Sequence, residues 1–259
     1  WVTTDDPTEN AVSVLTGRTL DEVSRGVQFR GPAIDGPAPL PTDIRPMFAS
    51  LGDKAFSHAD WVFEPKLDGV RILAWVDHGR DGNDVTDHYP EVRDALTAQP
   101  HLRMLLDGEV ATLNERGVPD FGLLQHRMHL SGTKAVLAQK QWPVLFYVFD
   151  LLHLEGVDLR SLPLTQRQWT LAGALREDDV LRLVHAIPQD GEAFFKAAGA
   201  MGLEGMVAKR ADSPYEPGTR SRHWVKVKTQ QEQEFVIGGY LPGEGWRTSS
   251  FGALVLGYY

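Results

Sequence analysis

The chain has 259 residues, of which 42% are hydrophobic and 24% are charged, a composition that suits a globular protein of one or two domains. It contains no cysteine, which excludes disulfides, thiolate nucleophiles and cysteine-type zinc sites and favours a reducing, cytosolic setting. No apolar run approaches the roughly 20 residues that a membrane span needs, and the net charge of −9 means that a nucleic-acid partner has to be argued from local basic clusters.

Residues 1–41 are predicted to be a tether that follows something upstream. They contain the Pro/Gly-rich run "RGPAIDGPAPLP" and one short helix, which a capping box of Thr19 and Glu22 would begin and Gly26 would end. Such a segment cannot bury enough apolar surface to form a domain of its own.

Residues 42–230 are predicted to form one α+β domain. Strand-like runs occupy residues 61–64, 70–76, 103–110, 144–151, 181–187, 206–209 and 224–228. Helices are expected after "HYPEV", with Pro90 in the first turn; at "PLTQRQ", with Thr165 and Gln168 as a capping box; and between Asp190 and Gly202. Because strands and helices do not alternate one for one, mostly antiparallel sheets with flanking helices are favoured over a doubly wound fold.

Residues 231–259 are predicted to be the incomplete start of a second domain. In "EFVIGGYLPGEGWRTSSFGALVLGYY", two strand-like runs flank a Gly/Pro turn. Two strands alone are marginal in water, so we expect them to belong to a larger unit.

Charged residues gather at the ends of the predicted strands. The phosphate loops G-x-x-x-x-G-K-[ST] and G-x-G-x-x-G and the zinc motif H-E-x-x-H are absent, so the chemistry has to come from these clusters. The clusters are Glu64, Lys66, Asp68 and Arg71; Asp107 and Glu109; Asp150 beside Phe149; Glu204, Lys209 and Arg210; and Lys226 with Lys228.

The pair Lys226 and Lys228 indicates an anion site. At positions i and i+2 of a strand, both ammonium groups lie on one face and Val225 and Val227 lie on the other. Two like charges on one face are costly unless an anion lies between them. Together with Lys66, Lys209 and Arg71, they form a predicted phosphate pocket.

The remaining side chains of the clusters suit the other parts of a nucleotide. Asp107, Glu109 and Glu204 offer oxygen ligands for Mg²⁺ or acceptors for a ribose. Phe149 offers a flat face for a base.

Lys66, in "FEPKLDGVR", is the candidate nucleophile. Neighbouring cations and partial burial lower a lysine pKa and expose the neutral amine. A lysine among phosphate-binding cations and metal-binding carboxylates is placed to attack phosphorus and to form a lysyl phosphoramidate.

Several of these residues also have purely structural interpretations. Glu109 and Glu204 could be salt-bridge partners of lysines, and Phe149 could belong to the core. His126 and His129 share a face of an expected helix, but without a third ligand a structural role is favoured over a metal pair. The face of the strand that Trp224 occupies is left open by the sequence, and Arg220 could contact DNA or lie on a solvated face.

The ordered motifs resemble those of the covalent nucleotidyltransferases, the ATP-dependent DNA ligases and their relatives. "KLDG" with Arg71 is similar to motif I, "DGEV" to motif III, "FYVFDLL" to motif IIIa, "EGMVAKR" to motif IV and "WVKVK" to motif V, all in family order over residues 46–229. "LLQHRMH", "GYLPGEG" and the segment "LTGRTLDEVSRG" most resemble the ligase domain of bacterial multidomain end-joining ligases.

The resemblance implies a role for each matching residue. Lys66 would carry AMP, Glu64 would hold the adenine edge, and Phe149 would stack on the ring, with Val207 also at the nucleotide. Arg71, Glu109 and the motif Ia candidate Arg80, in "WVDHGRDGNDV", would contact the ribose or the reacting phosphate. Lys226 and Lys228 would hold the α-phosphate, Glu204 and Asp107 would bind metal, and Arg220 and Lys209 would contact DNA.

The resemblance also implies the reaction and its partners. It implies ATP, Mg²⁺ or Mn²⁺, and nicked or broken double-stranded DNA, in a bacterial cytoplasmic protein that acts in end joining near the nucleoid. A Ku-type end-binding protein and upstream repair domains would be partners, and residues 231–259 would begin an OB-fold that ends before the family's motif VI. The alternatives are an RNA ligase, a capping guanylyltransferase, or a nucleotide-gated DNA-binding module without catalysis.

Overall fold

The computed structural model describes residues 38–77, 87–101, 103–229, 236–243, 248 and 250–257. Most of the expected tether, its Thr19/Glu22 helix and Arg80 lie outside these residues. The described chain divides into two compact units, with the boundary between Lys228 and Thr229.

The first unit mixes strands and helices. In chain order its described elements are β1 (Phe48–Leu51), β2 (His58–Lys66), β3 (Val70–Asp77), α1 (Pro90–Thr97), β4 (Arg103–Ala111), α2 (Phe121–Leu124), α3 (Gly132–Ala138), β5 (Leu145–Leu154), β6 (Val157–Asp158), α4 (Leu164–Ala174), β7 (Leu181–Leu183), β8 (Ile187–Gln189), α5 (Gly191–Ala200), β9 (Gly205–Arg210) and β10 (Arg220–Lys228).

The strands form two sheets. Sheet 1 has the order β1-β10-β9-β2-β8, and sheet 2 has the order β3-β4-β5-β6 with β7 beside β5. The neighbouring strands are antiparallel except for the pairs β1–β10 and β5–β7, which are parallel. The predicted α+β class with mostly antiparallel sheets is therefore confirmed.

Sheet 2 is buried on both faces, which explains the nearly continuous apolar sequence of β4 and β5. One face contributes Leu106 and Phe146 to a core shared with Leu171 of α4. The other face contributes Leu105 to a second core that contains Trp224 of β10. Sheet 2 therefore lies between the helices and sheet 1.

Helix α5 covers sheet 1 on its other side. Phe194 and Phe195 pack against a third core, which includes Phe63 of β2 and residues of β9 and β10. As predicted, Asp190 caps the helix by accepting a hydrogen bond from the Ala193 amide (3.4 Å). Gly202, with φ of +82°, follows its last turn.

The segment predicted as one strand over residues 181–187 is two strands in different sheets. β7 pairs with β5 in sheet 2, and β8 pairs with β2 at the edge of sheet 1. Pro188 has no amide hydrogen to donate and is tolerated because β8 is an edge strand. A run of apolar residues does not reveal a change of sheet.

The capping box predicted for α4 is wrong. The helix begins after Pro163, and the Thr165 hydroxyl donates to the Ala211 carbonyl oxygen (3.3 Å). The Gln168 amide donates to Glu64 (2.6 Å), which lies 104 residues away in the sequence. Both side chains that the local pattern assigned to the helix end therefore form tertiary hydrogen bonds instead.

The second unit contains the antiparallel pair β11 (Val236–Pro242) and β12 (Phe251–Gly257). The two predicted strand-like runs therefore pair with each other. Their assignment to the start of an OB-fold, and the domain boundaries given above, stay predictions. None of the helices in the described residues is both long and apolar enough to cross a bilayer.

Candidate active site

A cavity of about 220 Å³ lies where strands of sheet 1 meet β3, β4 and β5 of sheet 2. It gathers side chains that are far apart in sequence. Its lining residues are Phe48, Ala49, Glu64, Pro65, Lys66, Leu67, Arg71, Glu109, Phe149, Val207, Lys209, Arg220, Trp224 and Lys226.

Lys66 is the last residue of β2, and its partner on β9 is Gly205. Its side chain is 18% exposed, and Nζ forms an ion pair with Glu204 Oε2. Lys228 Nζ lies 2.9 Å from Glu204 Oε1. Glu204 therefore bridges the candidate nucleophile and a second lysine.

The Glu204 carboxylate is held in its ionised form. Burial acts to raise its pKa, but hydrogen bonds from Lys228 and Lys66 outweigh burial and lower the pKa below its ordinary value. A ligand that draws Glu204 away from Lys66 would break this ion pair.

Glu64 lies deeper on β2 and is almost fully buried. Its Oε2 is 2.6 Å from Lys209 Nζ, and its Oε1 accepts a hydrogen bond from Gln168 Nε2 (2.6 Å). Burial raises the pKa of Glu64, while Lys209 and Gln168 act against that rise. The result is a buried acceptor at the cavity wall.

Two aromatic rings form an adjoining wall. Phe149 and Trp224 pack edge to face, with centroids 6.1 Å apart and planes at 79°. Lys209 Nζ lies 4.2 Å from both ring centroids. Phe149 belongs to a buried core and also lines the cavity, so the core and stacking interpretations are compatible.

Arg71 is fixed by a buried carboxylate. Its Nε and one terminal nitrogen donate to the two oxygens of Asp107, at 2.9 and 2.6 Å. The Tyr215 hydroxyl donates to Asp107 Oδ2 (2.5 Å) and accepts from the Met47 amide (3.0 Å). This network orients the Arg71 guanidinium at the cavity, where it also lies 5.3 Å from the Phe149 ring.

The prediction that Asp107 binds metal is corrected by this geometry. The residue is 0% exposed, and both of its oxygens accept hydrogen bonds from Arg71 or Tyr215. A cation could reach it only by displacing a bidentate arginine. Asp107 positions Arg71 instead.

Glu109 lies on β4 opposite Arg71 of β3. Its Oε1 accepts a hydrogen bond from the Gly69 amide at 3.0 Å. Burial raises its pKa to about 7, although Lys66 acts in the opposite direction. At neutral pH this carboxyl group can therefore serve as either a donor or an acceptor.

The strand alternation predicted for β10 is present. Val227 is buried in the core under α5, whereas Lys226 lines the cavity and Lys228 reaches Glu204. Trp224 lies on the cavity side with the lysines. Val207 of β9 also lines the cavity.

The two DNA-contact candidates differ in exposure. Arg220 is exposed, and it donates to the Ala49 carbonyl oxygen (2.8 Å) at the rim. Lys209 is 2% exposed and paired with Glu64, so its assignment to DNA is corrected. A side chain enclosed in this way is not accessible to a duplex, although it lines the cavity.

His126 and His129 lie in the turn that follows α2 and not on a helix face. The His126 ring stacks on Trp142, with centroids 4.8 Å apart, which supports the favoured structural role. Among the residues that the structure describes, no cluster of three or more His, Asp or Glu could hold a metal ion by itself.

The sequence interpretation missed three contributors to the site. Gln168 was assigned to a helix cap, Tyr215 to no role, and β1 was not predicted. Trp224 could have been placed, because it shares its strand parity with Lys226 and Lys228. The partners of Glu64 and Asp107 carried no local signal, since they lie 104 and 108 residues away.

Comparison with known proteins identifies similar sequences. A family model described as ATP dependent DNA ligase domain matches residues 46–228. The multifunctional non-homologous end joining protein LigD of Mycolicibacterium smegmatis is 38% identical over 224 residues, which cover 84% of this chain and 28% of that protein. LigD of Pseudomonas aeruginosa is 37% identical over an alignment of 267 positions, which covers 97% of this chain and 30% of that protein. The chain thus spans less than a third of the length of these relatives.

Two solved structures have a similar fold. Mycobacterial DNA ligase D, in a complex with ATP and MES, has a TM-score of 0.61 at 35% identity, covering 83% of this chain and 67% of that one. The ligase domain of Mycobacterium tuberculosis LigD has a TM-score of 0.59 at 36% identity, covering 83% and 68%.

Proposed function

This chain belongs to the family of ATP-dependent DNA ligase domains, and from that premise we propose that it joins DNA ends through a covalent lysyl-AMP on Lys66. The observation that carries the proposal is the position of Lys66 in one cavity with a buried acceptor, an aromatic wall and further cations. These are the features that a purine base and a chain of phosphates require.

The proposed reaction has three balanced steps. The neutral Lys66 amine attacks the α-phosphorus of ATP, a nitrogen–phosphorus bond forms, and pyrophosphate leaves. A 5′-phosphate oxygen of DNA then attacks the AMP phosphorus, and Lys66 is released. Finally, a DNA 3′-hydroxyl attacks the activated 5′-phosphate, a phosphodiester forms, and AMP leaves.

The side chains around Lys66 support the first step. Lys66 attacks as the neutral amine, and in the empty site its Nζ is paired with Glu204. When phosphates occupy the site near Lys226 and Lys228, the anion can take over the hydrogen bonds that Glu204 now makes. Lys66 is then released from Glu204, and its amine can turn to the α-phosphorus.

The base and ribose have their own contacts in the proposed complex. Glu64 accepts a hydrogen bond from the adenine amino group, and Phe149 and Trp224 provide apolar ring surfaces beside it. Arg71 is held by Asp107, and it lies opposite Glu109 on the neighbouring strand. In the proposed complex these two side chains contact the ribose and the reacting phosphate.

The donor set fits a divalent cation that is held jointly with the nucleotide. Mg²⁺ is commonly bound by one or two carboxylates and by substrate phosphates. Glu204 is ionised and partly exposed, and Glu109 is electrostatically coupled to it, whereas Asp107 is fully engaged. A bound cation would neutralise phosphate charge here, and Glu204 would be its main protein ligand.

Nicked or broken double-stranded DNA is the proposed substrate, and end joining is the proposed setting. Relatives named as non-homologous end joining proteins support this, as does the exposed Arg220 at the cavity rim. A Ku-type partner and upstream repair domains would belong to the longer protein. An RNA ligase or a guanylyltransferase remains a testable alternative.

The test is the intact mass of the protein after incubation with ATP and Mg²⁺. We expect addition of one AMP to the wild-type protein, far less addition of GMP from GTP, and none to Lys66→Ala or Lys66→Arg. Arginine fails because its guanidinium stays protonated and cannot attack. Lys54→Arg, at an exposed lysine outside the cavity, should behave as the wild type.

Two results would contradict the proposal. One is AMP on the Lys66→Arg protein at the wild-type level, which would assign the nucleophile elsewhere. The other is the absence of any covalent nucleotide on a folded wild-type protein, which would favour the non-catalytic module. Sealing of a nicked RNA in preference to nicked DNA would point to an RNA ligase.

A further inference from the structure

Gln168 lies outside the cavity but contacts a residue that lines it. It is on α4, and its Nε2 donates to Glu64 Oε1 at 2.6 Å. A carboxylate only accepts hydrogen bonds, so the Gln168 side chain has to present its NH₂ group. The other oxygen of Glu64 faces Lys209 at 2.6 Å.

The residue before Gln168 fixes the position of α4. Arg167 is fully buried and donates from Nε and one terminal nitrogen to the two oxygens of Asp150, both at 2.8 Å. Its other terminal nitrogen donates to the carbonyl oxygens of Leu162 (2.5 Å) and Ser213 (2.9 Å). These hydrogen bonds fix α4 in position, and the fixed helix holds the Gln168 amide against Glu64.

Glu64 needs such a partner if it is to work as an acceptor. Removing a carboxylate from water favours its protonated form unless donors stabilise the charge. Burial is the largest influence on the pKa of Glu64 and raises it, and Asp150 adds to the rise, whereas Lys209 and Gln168 oppose it. Without Gln168, one oxygen would lose its donor and the side chain would be less constrained.

Lys209 holds only one oxygen of the carboxylate. Its ammonium lies over the Phe149 and Trp224 rings, 4.2 Å from each centroid. Within the part of the chain that the structure describes, this ammonium makes no hydrogen bond of standard geometry, although its charge is paired. Gln168 binds Oε1 of Glu64, the oxygen that Lys209 does not hold, so both contacts together fix the plane of the carboxylate.

We propose that Gln168 is a positioning residue for base recognition, which holds the Glu64 carboxylate oriented toward the exocyclic amino group of adenine. This inference rests on the proposed function, in which Glu64 receives the adenine edge. It assigns the discrimination between nucleotides partly to a residue that never touches the base.

The experiment changes the protein and the nucleotide together. Gln168→Leu removes the donor at similar size, and Gln166→Leu makes the same change two positions earlier on α4, where no contact with Glu64 occurs. Single-turnover formation of the lysyl-nucleotide is measured with ATP, which gives lysyl-AMP, and with purine riboside triphosphate, which lacks only the 6-amino group and gives lysyl-purine riboside monophosphate.

With ATP, Gln168→Leu should raise the apparent Kd about tenfold, as expected for loss of a hydrogen bond to a charged group, with little change in the maximal rate. With the analogue, the wild type and Gln168→Leu should bind equally, because there is no amino group for Glu64 to recognise. Gln166→Leu should match the wild type with both nucleotides.

Other results would overturn the inference. An unchanged Kd for ATP would show that Gln168 does not position Glu64. An equal loss with ATP and with the analogue would show a general structural role. If Gln168→Leu does not fold, as judged by its thermal melt, Gln168→Met provides an unbranched replacement and the same comparison decides. Failure of the wild type to form lysyl-AMP would instead reject the proposed function itself.

Discussion

At the scale of single residues, Glu109 lines the cavity in an environment that is unfavourable for its charge. It accepts a hydrogen bond from the Gly69 amide at 3.0 Å, yet burial raises its pKa from 4.5 to about 7. The folded protein therefore retains a proton here at pH values where the unfolded chain has released it.

This proton uptake predicts the direction of a pH effect on stability. Between about pH 4.5 and 7 the folded state binds more protons at Glu109 than the unfolded state, so the free energy of unfolding falls as pH rises. Glu109→Gln removes this titration and keeps an oxygen for the Gly69 amide. We expect the variant to be more stable than the wild type at pH 8, by up to about 3 kcal/mol, and nearly equal to it at pH 4.5.

The measurement is urea unfolding in EDTA, without nucleotide, at several pH values. The informative quantity is the difference between the two proteins, because all other titrating groups are shared. A difference that does not change with pH would contradict the assignment. Greater stability of the wild type at pH 8 would contradict it as well.

Residue chemistry was more predictable from the sequence than residue pairing. Lys66 and Glu204 were predicted to contribute a nucleophile and a carboxylate, and the structure places them in contact. Asp107 was wrongly predicted to bind metal, because its binding partners, Arg71 and Tyr215, are set by strand register and tertiary packing. Oxygen atoms identify potential ligands, whereas burial and competing donors decide which of them remain accessible.

At the scale of elements, the close pairing of β9 with β10 holds Glu204 over Lys66. Gly205 opens β9 with φ of +149°, between Glu204 and the strand. A Cβ at this position would lie 2.1 Å from the Val227 carbonyl oxygen and 2.8 Å from the Lys228 Cα. The glycine therefore permits an approach of two backbones that no other residue would allow.

Gly205→Ala should consequently damage both stability and charging with AMP. The strand has to separate from β10 or change its backbone angles, and Glu204 and Lys228 move with it. We expect a loss of more than about 2 kcal/mol in the free energy of unfolding, larger than the typical cost of a surface substitution, and a strong loss of lysyl-AMP formation.

Gly202 provides the matched control. It also has a positive φ, +82°, but a Cβ there would meet nothing within 4 Å. Gly202→Ala should cost about 1 kcal/mol from backbone strain alone, with charging retained. Equal effects of the two substitutions on charging would show that the contact between β9 and β10 is not the cause.

Elements were predictable where their pattern was local. The alternation in β10 and the caps of α5 come from neighbouring residues, and both are present. β7 and β8 were merged because a change of sheet is a property of the whole fold. The capping box predicted at Thr165 and Gln168 failed for the same reason, because tertiary packing decides it. Thr165 donates to the distant Ala211 carbonyl oxygen and Gln168 to the distant Glu64 carboxylate.

At the scale of the whole molecule, the net charge of −9 conceals an uneven distribution of cations. Two cations of the site are neutralised internally, Lys209 by Glu64 and Arg71 by Asp107. On β10, by contrast, Arg220 and Arg222 are exposed, so their charges could meet the phosphates of a duplex. Total charge is therefore a poor guide to whether this protein binds DNA.

If Arg220 neutralises a DNA phosphate, its contribution will appear in the salt dependence of binding. Each phosphate contact releases counterions and adds about −0.9 to the slope of log K against log salt. We expect Arg220→Gln to make this slope shallower by about 1 for nicked duplex DNA, whatever its sequence. Arg93→Gln, at an exposed arginine on α1 that pairs with Asp94, should leave the slope unchanged. Fluorescence anisotropy over a range of salt concentrations measures both variants, and equal slopes for Arg220→Gln and the wild type would place the duplex on another surface.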